Sequence, residues 1–209
     1  MKKPILFLIA SLFAIASSGQ NFEGKIVYKN VYKSNLQGVT DDQLTSMMGS
    51  TQEYYIKGGD YKSVSNGSIL QWQLYINKDN KLYNKMSNAE SELWNDGAEN
   101  TDAVLKAVIN KNAITILGYN CDELILTCNS GIQKYYFNAK LKVDLKLYIN
   151  HKFGNWYYII SKANALPLKM EIENKQFSIE SIASVISPMK LEKTFFDLPA
   201  GIKTIKSPN

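Results

Sequence analysis

Between Phe22 and Tyr32, the apolar residues Phe22, Ile26, Tyr28 and Tyr32 alternate with Glu23, Lys25, Lys29 and Lys33. That period of two predicts a β-strand, and Val27 and Val31 on the polar side predict that both its faces are partly covered. Asp41–Met48 reads as a short helix, with Thr40 or Asp41 as cap, acids in the first turn and Gly49 behind it. A meander of four strands follows. Glu53–Lys57 turns at Gly58-Gly59 into Asp60–Ser65, and Asn66-Gly67 is a strong hairpin signal. Leu70, Trp72, Leu74 and Ile76 then alternate with Gln71, Gln73, Tyr75 and Asn77, before Asp79-Asn80 turns the chain into Lys81–Met86. Strands joined by such tight turns pair antiparallel, without crossover helices.

The second half is less regular. Ser87–Thr101 is polar, with Trp94 its large apolar group, and reads as a surface loop. Asp102–Ile109 reads as a short helix capped by Thr101 or Asp102. Ala113–Leu117, Cys121–Cys128 and Gln133–Phe137 read as strands, the last two joined by Asn129-Ser130-Gly131. From Ala139 the alternation favours a strand to about Val143. Helical spacing then takes over from Leu145 to Ile160, with Asp144 as cap and an interruption near Gly154. Leu166, Leu168, Met170 and Ile172 alternate with Lys169, Glu171 and Glu173; Phe177–Ile186 is a further strand, and Phe195–Pro199 closes the fold. No repeat or low-complexity linker divides the chain. The expectation is one α+β domain, mainly antiparallel β. Its inner sheet face would carry Trp72, Leu74, Ile76, Phe137, Leu168 and Met170, covered by the helices. Either the helices fill that face completely or they leave a cavity for an apolar ligand.

Composition narrows the setting. At 209 residues, with 45% hydrophobic and 11% aromatic content, the chain has enough material for a core, which excludes global disorder. Lys2 and Lys3 precede the apolar run Ile5–Ala16 and the small residues Ser17-Ser18-Gly19. This is the layout of a cleavable secretory signal over residues 1–19, leaving 20–209 as the single domain. The run falls short of the ~20 residues of a spanning helix, so no transmembrane segment is expected after cleavage. The expected destination is the periplasm or the medium. Loss of Lys2 and Lys3 takes the formal charge from +5 to +3 (5 − 2). All 24 basic residues are lysine, and lysine lacks the bidentate fork that reads bases or grips phosphate. No nucleic-acid partner is expected.

Catalytic chemistry has little to stand on. His151 is the one histidine; it lies among Lys, Asn and Phe without a G-x-S-x-G nucleophile elbow, and reads as an exposed surface residue. Glu171 and Glu173 share a strand face opposite Leu168 and Met170, and read as solvated. Cys121 and Cys128 flank a strand about 23 Å long, so they pair only if that segment turns; otherwise they are two separate or buried thiols. Two cysteines and one distant histidine do not make a metal site. No catalytic residue, metal or cofactor is assigned.

Several short segments resemble a family. Phe22-Glu23-Gly24-Lys25-Ile26-Val27-Tyr28, Tyr55-Ile56-Lys57-Gly58 and Ile116-Leu117-Gly118-Tyr119-Asn120-Cys121 are similar to segments of exported Bacteroidetes proteins. So are Tyr135-Tyr136-Phe137-Asn138, Ala165-Leu166-Pro167-Leu168-Lys169 and Phe196-Asp197-Leu198-Pro199. Together they resemble an uncharacterised secreted domain grouped with the LolA/LolB-like lipoprotein carriers, with local similarity to the GLPGLI family. The resemblance implies a curved open half-barrel with helices on its concave side. It also implies a periplasmic or outer-membrane-associated role in holding an apolar or lipid-like group. The carriers depend on an arginine that this chain lacks, so lipoprotein transport is not carried over. The alternative is a structural or interaction protein of the envelope with a filled core and a protein partner.

Overall fold

The computed structural model describes residues 21–208; the expected signal segment, residues 1–19, lies outside the described residues. Two meanders share one sheet. The first runs outward through β1 (Gly24–Ser34), β2 (Thr51–Lys57), β3 (Asp60–Ser65), β4 (Leu70–Ile76), β5 (Lys81–Met86) and β6 (Glu92–Asp96). The second returns through β7 (Val104–Ile116), β8 (Tyr119–Cys128), β9 (Ile132–Lys142), β10 (Ala165–Glu173) and β11 (Phe177–Pro188). β11 pairs antiparallel with β1, and β12 (Thr204–Lys206) adds parallel to β6, giving the order β12-β6-β5-β4-β3-β2-β1-β11-β10-β9-β8-β7.

This topology forces curvature. β6 and β7 stand ten strand intervals apart, which in a flat sheet would be about 48 Å. Yet only residues 97–103 connect Asp96 to Val104, a reach of at most about 28 Å. The sheet curls until its two ends are within that reach, but it does not close: among the described residues β7 is a free edge. The expectation of an open, curved, mainly antiparallel sheet with few helices is met at this level.

The excursion between β9 and β10 fills the curve. It contains a 3-10 turn at Leu145–Tyr148, a second at Phe153–Asn155, and α2 (Trp156–Ala163). Asp144 caps the first turn by accepting from the Lys146 N–H, and Gly154 (φ 60°) breaks the helical run, as the sequence predicts. Backbone and side-chain bonds tie this plug to the first meander and to the connecting segment. Lys152 and Phe153 donate to the Gly97 carbonyl on the connecting segment. The Tyr148 hydroxyl donates to the Gly58 carbonyl, and Asn77 and Asn80 donate to the Leu147 and Asn150 carbonyls. The plug's own Tyr148, Ile159 and Ile160 are buried in the core.

The outer face has its own cover. The chain after β11 crosses β2–β6, where Leu191 and Phe196 pack with Leu74 and Tyr83, flanked by Trp72, Ile76 and Trp94. Lys57 anchors the crossing, reaching both Glu23 and the Leu191 carbonyl.

Three expected elements differ. Asp102–Ile109 is not a helix; Val104 onward belongs to the long strand β7. Its β-branched residues and the tight turn at Leu117 (φ 49°) and Gly118 (φ 79°) fold it back on β8. The Ser87–Thr101 loop contains β6, whose Glu92 is buried against Lys85 at 2.8 Å. The Asn66-Gly67 turn is longer than a two-residue hairpin, because the loop docks on α1 (Asp41–Met48). A Cβ at Gly67 would stand 2.5 Å from the Met47 carbonyl.

α1 itself matches its prediction. Thr40 Oγ1 accepts from the Gln43 N–H, while Gln43 Oε1 accepts from the Thr40 N–H, a reciprocal capping box. Thr40→Ala is expected to cost about 1 kcal/mol of unfolding free energy, measured by urea titration. No loss would mean that α1 contributes little to the cooperative fold.

Candidate functional site

A ladder of tyrosines crosses the inner face, one from each of four adjacent strands. Tyr28 of β1, Tyr54 of β2, Tyr61 of β3 and Tyr75 of β4 stand side by side. Their ring centroids are separated by 6.4, 5.3 and 5.2 Å in that order. Strand alternation places them there: Gln52, Tyr54 and Ile56 share one side of β2, and Tyr61 and Ser63 share the same side of β3. The plug supplies the opposing wall. His151 stacks on Tyr75 at 3.9 Å, and Trp156 leans against Tyr61 at 5.7 Å and His151 at 6.2 Å.

Beside this ladder lies a cleft of about 160 Å³. Its walls are aromatic and aliphatic (Tyr28, Tyr54, Tyr61, Trp156, Leu166, Met170), with Gln52, Ser63 and Gln73 forming a polar side. No charged side chain lines it. Most of its polar groups are occupied within the protein. The Tyr28 hydroxyl donates to the Pro167 carbonyl at 2.7 Å, Gln52 donates to Ser63, and Gln73 donates to Asn84 at 2.8 Å. The Tyr61 hydroxyl and His151 Nε2 are 2.7 Å apart. Two buried groups of the lining residues have no protein partner: the Tyr54 hydroxyl and the Trp156 indole N–H. Burial pushes the phenols of Tyr28, Tyr54 and Tyr61 well above their ordinary range, so all three remain neutral donors at any physiological pH.

The six residues expected to line one cavity are divided between two faces. Met170 lines the cleft. Leu168 is fully buried in the inner core near it, and Phe137 packs in a neighbouring inner cluster with Leu124, Ile159 and Ala165. Trp72, Leu74 and Ile76 point the other way, into the outer core under Leu191 and Phe196. The alternation of β4 is therefore as expected but in the opposite phase. The more hydrophobic face of β4 is claimed by the C-terminal crossing, and its Gln73–Tyr75 face looks inward. A tyrosine ring can occupy such a face because its hydroxyl finds a partner: that of Tyr75 donates to Asn80 at 2.8 Å.

His151 is a second correction. It is 1% exposed, not a surface residue, and lies under the aromatic ladder. Its aromatic neighbours keep it neutral: burial lowers its pKa to about 3. Its other nitrogen, Nδ1, has no protein partner. Glu171 is not free in solvent either; it bridges Lys169 at 2.7 Å and Lys134 at 3.4 Å on the outer face.

Cys121 and Cys128 are both buried free thiols near opposite ends of β8, in different core clusters. Burial raises both, that of Cys128 to about 11, with Asp102 adding to it, so neither is a thiolate nucleophile at neutral pH. Asp102, read from sequence as a helix cap, instead holds the β8–β9 turn. Its carboxylate accepts from the Ser130 N–H and hydroxyl and from Gln133. Among the described residues, no helix is long and apolar enough to cross a membrane.

No family model matches the chain, and no curated protein matches it. Among solved structures, one of PNGF-II aligns with a TM-score of 0.48 at 13% identity, over 89% of this chain and 32% of that one. The chain thus spans about a third of the length of that protein.

Proposed function

We propose that the protein is an exported, non-enzymatic binding protein of LolA/LolB-like architecture that takes a small, mostly apolar ligand into the tyrosine-walled cleft. The observation that carries this reading is the cleft itself, which is apolar on most sides and walled by Tyr28, Tyr54, Tyr61 and Trp156 with no charged side chain in its lining. The volume sets the scale: about 160 Å³ is close to that of engineered cavities that accept a benzene ring, and below the usual range for larger ligands. The ligand is ring-sized, or the end of a longer chain, not a whole lipid. The non-enzymatic part of the reading is supported by the setting of the lone histidine, which is stacked among Tyr61, Tyr75 and Trp156 and kept neutral by burial.

Native mass spectrometry of the full chain, purified gently from an envelope-containing host before and after organic extraction, tests this. A discrete extractable adduct is expected, and Met170→Trp, which fills the cleft, is expected to remove it. A bare polypeptide mass in both preparations would shift the weight to a second reading, an envelope interaction protein with a protein partner. That reading draws on the free edge of β7, where Leu105, Val108 and Ile109 are exposed.

A further inference from the structure

We propose that β7 is the seam of a homodimer, in which two copies of the chain pair their β7 strands antiparallel about a two-fold axis at Val108 and join their sheets into one. This goes beyond the ligand reading and does not depend on it. Three features of β7 converge on a second copy as the occupant.

The first is that the edge is open and undefended. β7 is the longest strand of the sheet, and among the described residues nothing pairs with the side turned away from β8. Alternate residues there direct N–H and C=O groups at solvent, a template that another strand completes. Edge strands are normally blunted by proline, by brevity or by charge. Val104–Ile116 contains no proline, and Lys106 is the one charged residue among its first seven. Leu105 is 68% exposed, with Val108 and Ile109 exposed beside it. The other end of the sheet is blunted, because β12 is only three residues long.

The second is symmetry. β7 pairs with β8 without interruption from Lys106 to Asn110, and the register shifts on either side, between Val104 and Lys106 and between Asn110 and Ile114. The regular stretch is five residues long and its midpoint is Val108. Two such stretches, run antiparallel with Val108 on the axis, match end to end. Val108 then faces Val108, Ala107 faces Ile109, and Lys106 faces Asn110. Any displacement along the strand brings an irregular residue into the ladder, where pairing is disrupted.

The third is charge. Ala107 packs on the inner cluster, so Lys106, Val108 and Asn110 share the outer face. Asn110 Nδ2 donates to Glu123 Oε2 of β8 at 2.7 Å on that face. Among the described residues Lys106 forms no ion pair, and Glu123 forms none either. In the Val108 register, Lys106 of each copy stands opposite Asn110 of the other, with Glu123 one strand further, about 9.6 Å away across two strand intervals. The two-fold axis thus brings an unpaired lysine towards an unpaired carboxylate twice. An axis at Lys106 would instead set two lysines face to face, which is unfavourable. Such pairing is isologous: it consumes both β7 edges, and assembly closes at two copies.

Sedimentation equilibrium of the full chain, from roughly 1 μM to 1 mM, is the test. A reversible monomer–dimer equilibrium is expected, with a Kd on the order of tens of micromolar for so small a seam. Val108→Lys, which sets two ammonium groups on the axis, is expected to weaken the dimer at least about tenfold. Because Val108 is exposed, its Tm should stay near that of the parent, which separates lost pairing from lost folding. Lys106→Glu alone is expected to weaken the dimer, and adding Glu123→Lys to restore it. Val108→Cys gives a second readout. Opposed Cα atoms in an antiparallel pair lie about 4.5–5.5 Å apart, within disulfide reach, so mild oxidation should link the copies. Leu105→Cys, whose two copies would be offset by about 20 Å along the strands, should not link them. A chain that sediments as a monomer throughout would overturn the proposal and leave the edge to a strand of another protein. A dimer that survives Val108→Lys unchanged would place the contact elsewhere and overturn it too. Crosslinking of Leu105→Cys as readily as Val108→Cys would overturn the register.

Discussion

Tyr75→Ala is expected to lower the unfolding free energy by about 3–5 kcal/mol, the range for removing a large aromatic side chain from a closed core. Tyr75 is fully buried at the junction where the sheet meets the plug. Its ring packs against Tyr61 at 5.2 Å and stacks on His151 at 3.9 Å, so truncation removes both contacts and leaves a void that neither rigid neighbour can fill. Its hydroxyl donates to Asn80 Oδ1, and the same amide donates through Nδ2 to the Asn150 carbonyl of the plug. Losing Tyr75 thus also loosens one of the links that hold the plug across the curve. Tyr75→Phe isolates the hydrogen bond and is expected to cost only about 1 kcal/mol. Urea titrations at neutral pH measure both. A loss below about 1 kcal/mol for Tyr75→Ala would mean that the plug does not depend on the ladder, and the cleft beside it would lose its rigid wall.

The ladder also shows what the sequence discloses and what it conceals. Local signals are readable because they are settled within a few residues: the Thr40–Gln43 cap, the Gly58-Gly59 turn and the Gly154 break all stand where their chemistry requires. Strand alternation is equally local, and it places β4 and β10 correctly. Which phase of β4 faces inward is not local. Leu74 and Tyr75 are both fully buried, because each face of the strand is covered by a segment distant in sequence, one from the plug and one from the C-terminal crossing. When both faces are buried, hydrophobicity no longer marks the inside. Hydrophobicity alone assigns Trp72, Leu74 and Ile76 to the inner core, whereas they pack in the outer one. The signal of the cleft is the tyrosine in the inward register of four successive strands. Val104–Ile109 failed for a related reason: its apolar run fits either period, and the pairing with β8 that decides it is set by a turn beyond its end. His151 was concealed by its neighbours in sequence. Lys152 and Asn150 are exposed while it turns inward, which only the path of the plug reveals.

That inward turn makes His151 the residue with the clearest expected pH signature. In the unfolded chain its imidazole takes up a proton near pH 6.5, whereas in the fold burial among Tyr61, Tyr75 and Trp156 delays protonation to about pH 3. Below pH 6.5 the unfolded state therefore binds the extra proton. The contribution is complete above that value and is lost as pH falls towards 3, at up to about 1.4 kcal/mol per pH unit. Between pH 6.5 and 4.5 the expected loss is about 2–3 kcal/mol, large against the total stability of an ordinary domain. The carboxylates held low by lysines, hydrogen bonds or both (Glu23, Glu53, Asp122 and Glu171) lose their stabilising effect only as pH falls through and below the ordinary carboxylate range, so above it the decline belongs to His151. Urea unfolding of the parent and of His151→Gln at half-unit steps from pH 7 to 4.5 distinguishes them. The variant, less stable at pH 7 for want of the stacked ring, should show a nearly flat profile where the parent declines. A parallel decline in both would mean that His151 takes up its proton in the fold near the ordinary value. The imidazole would then reach water, and the wall it shares with Trp156 would be open instead of closed.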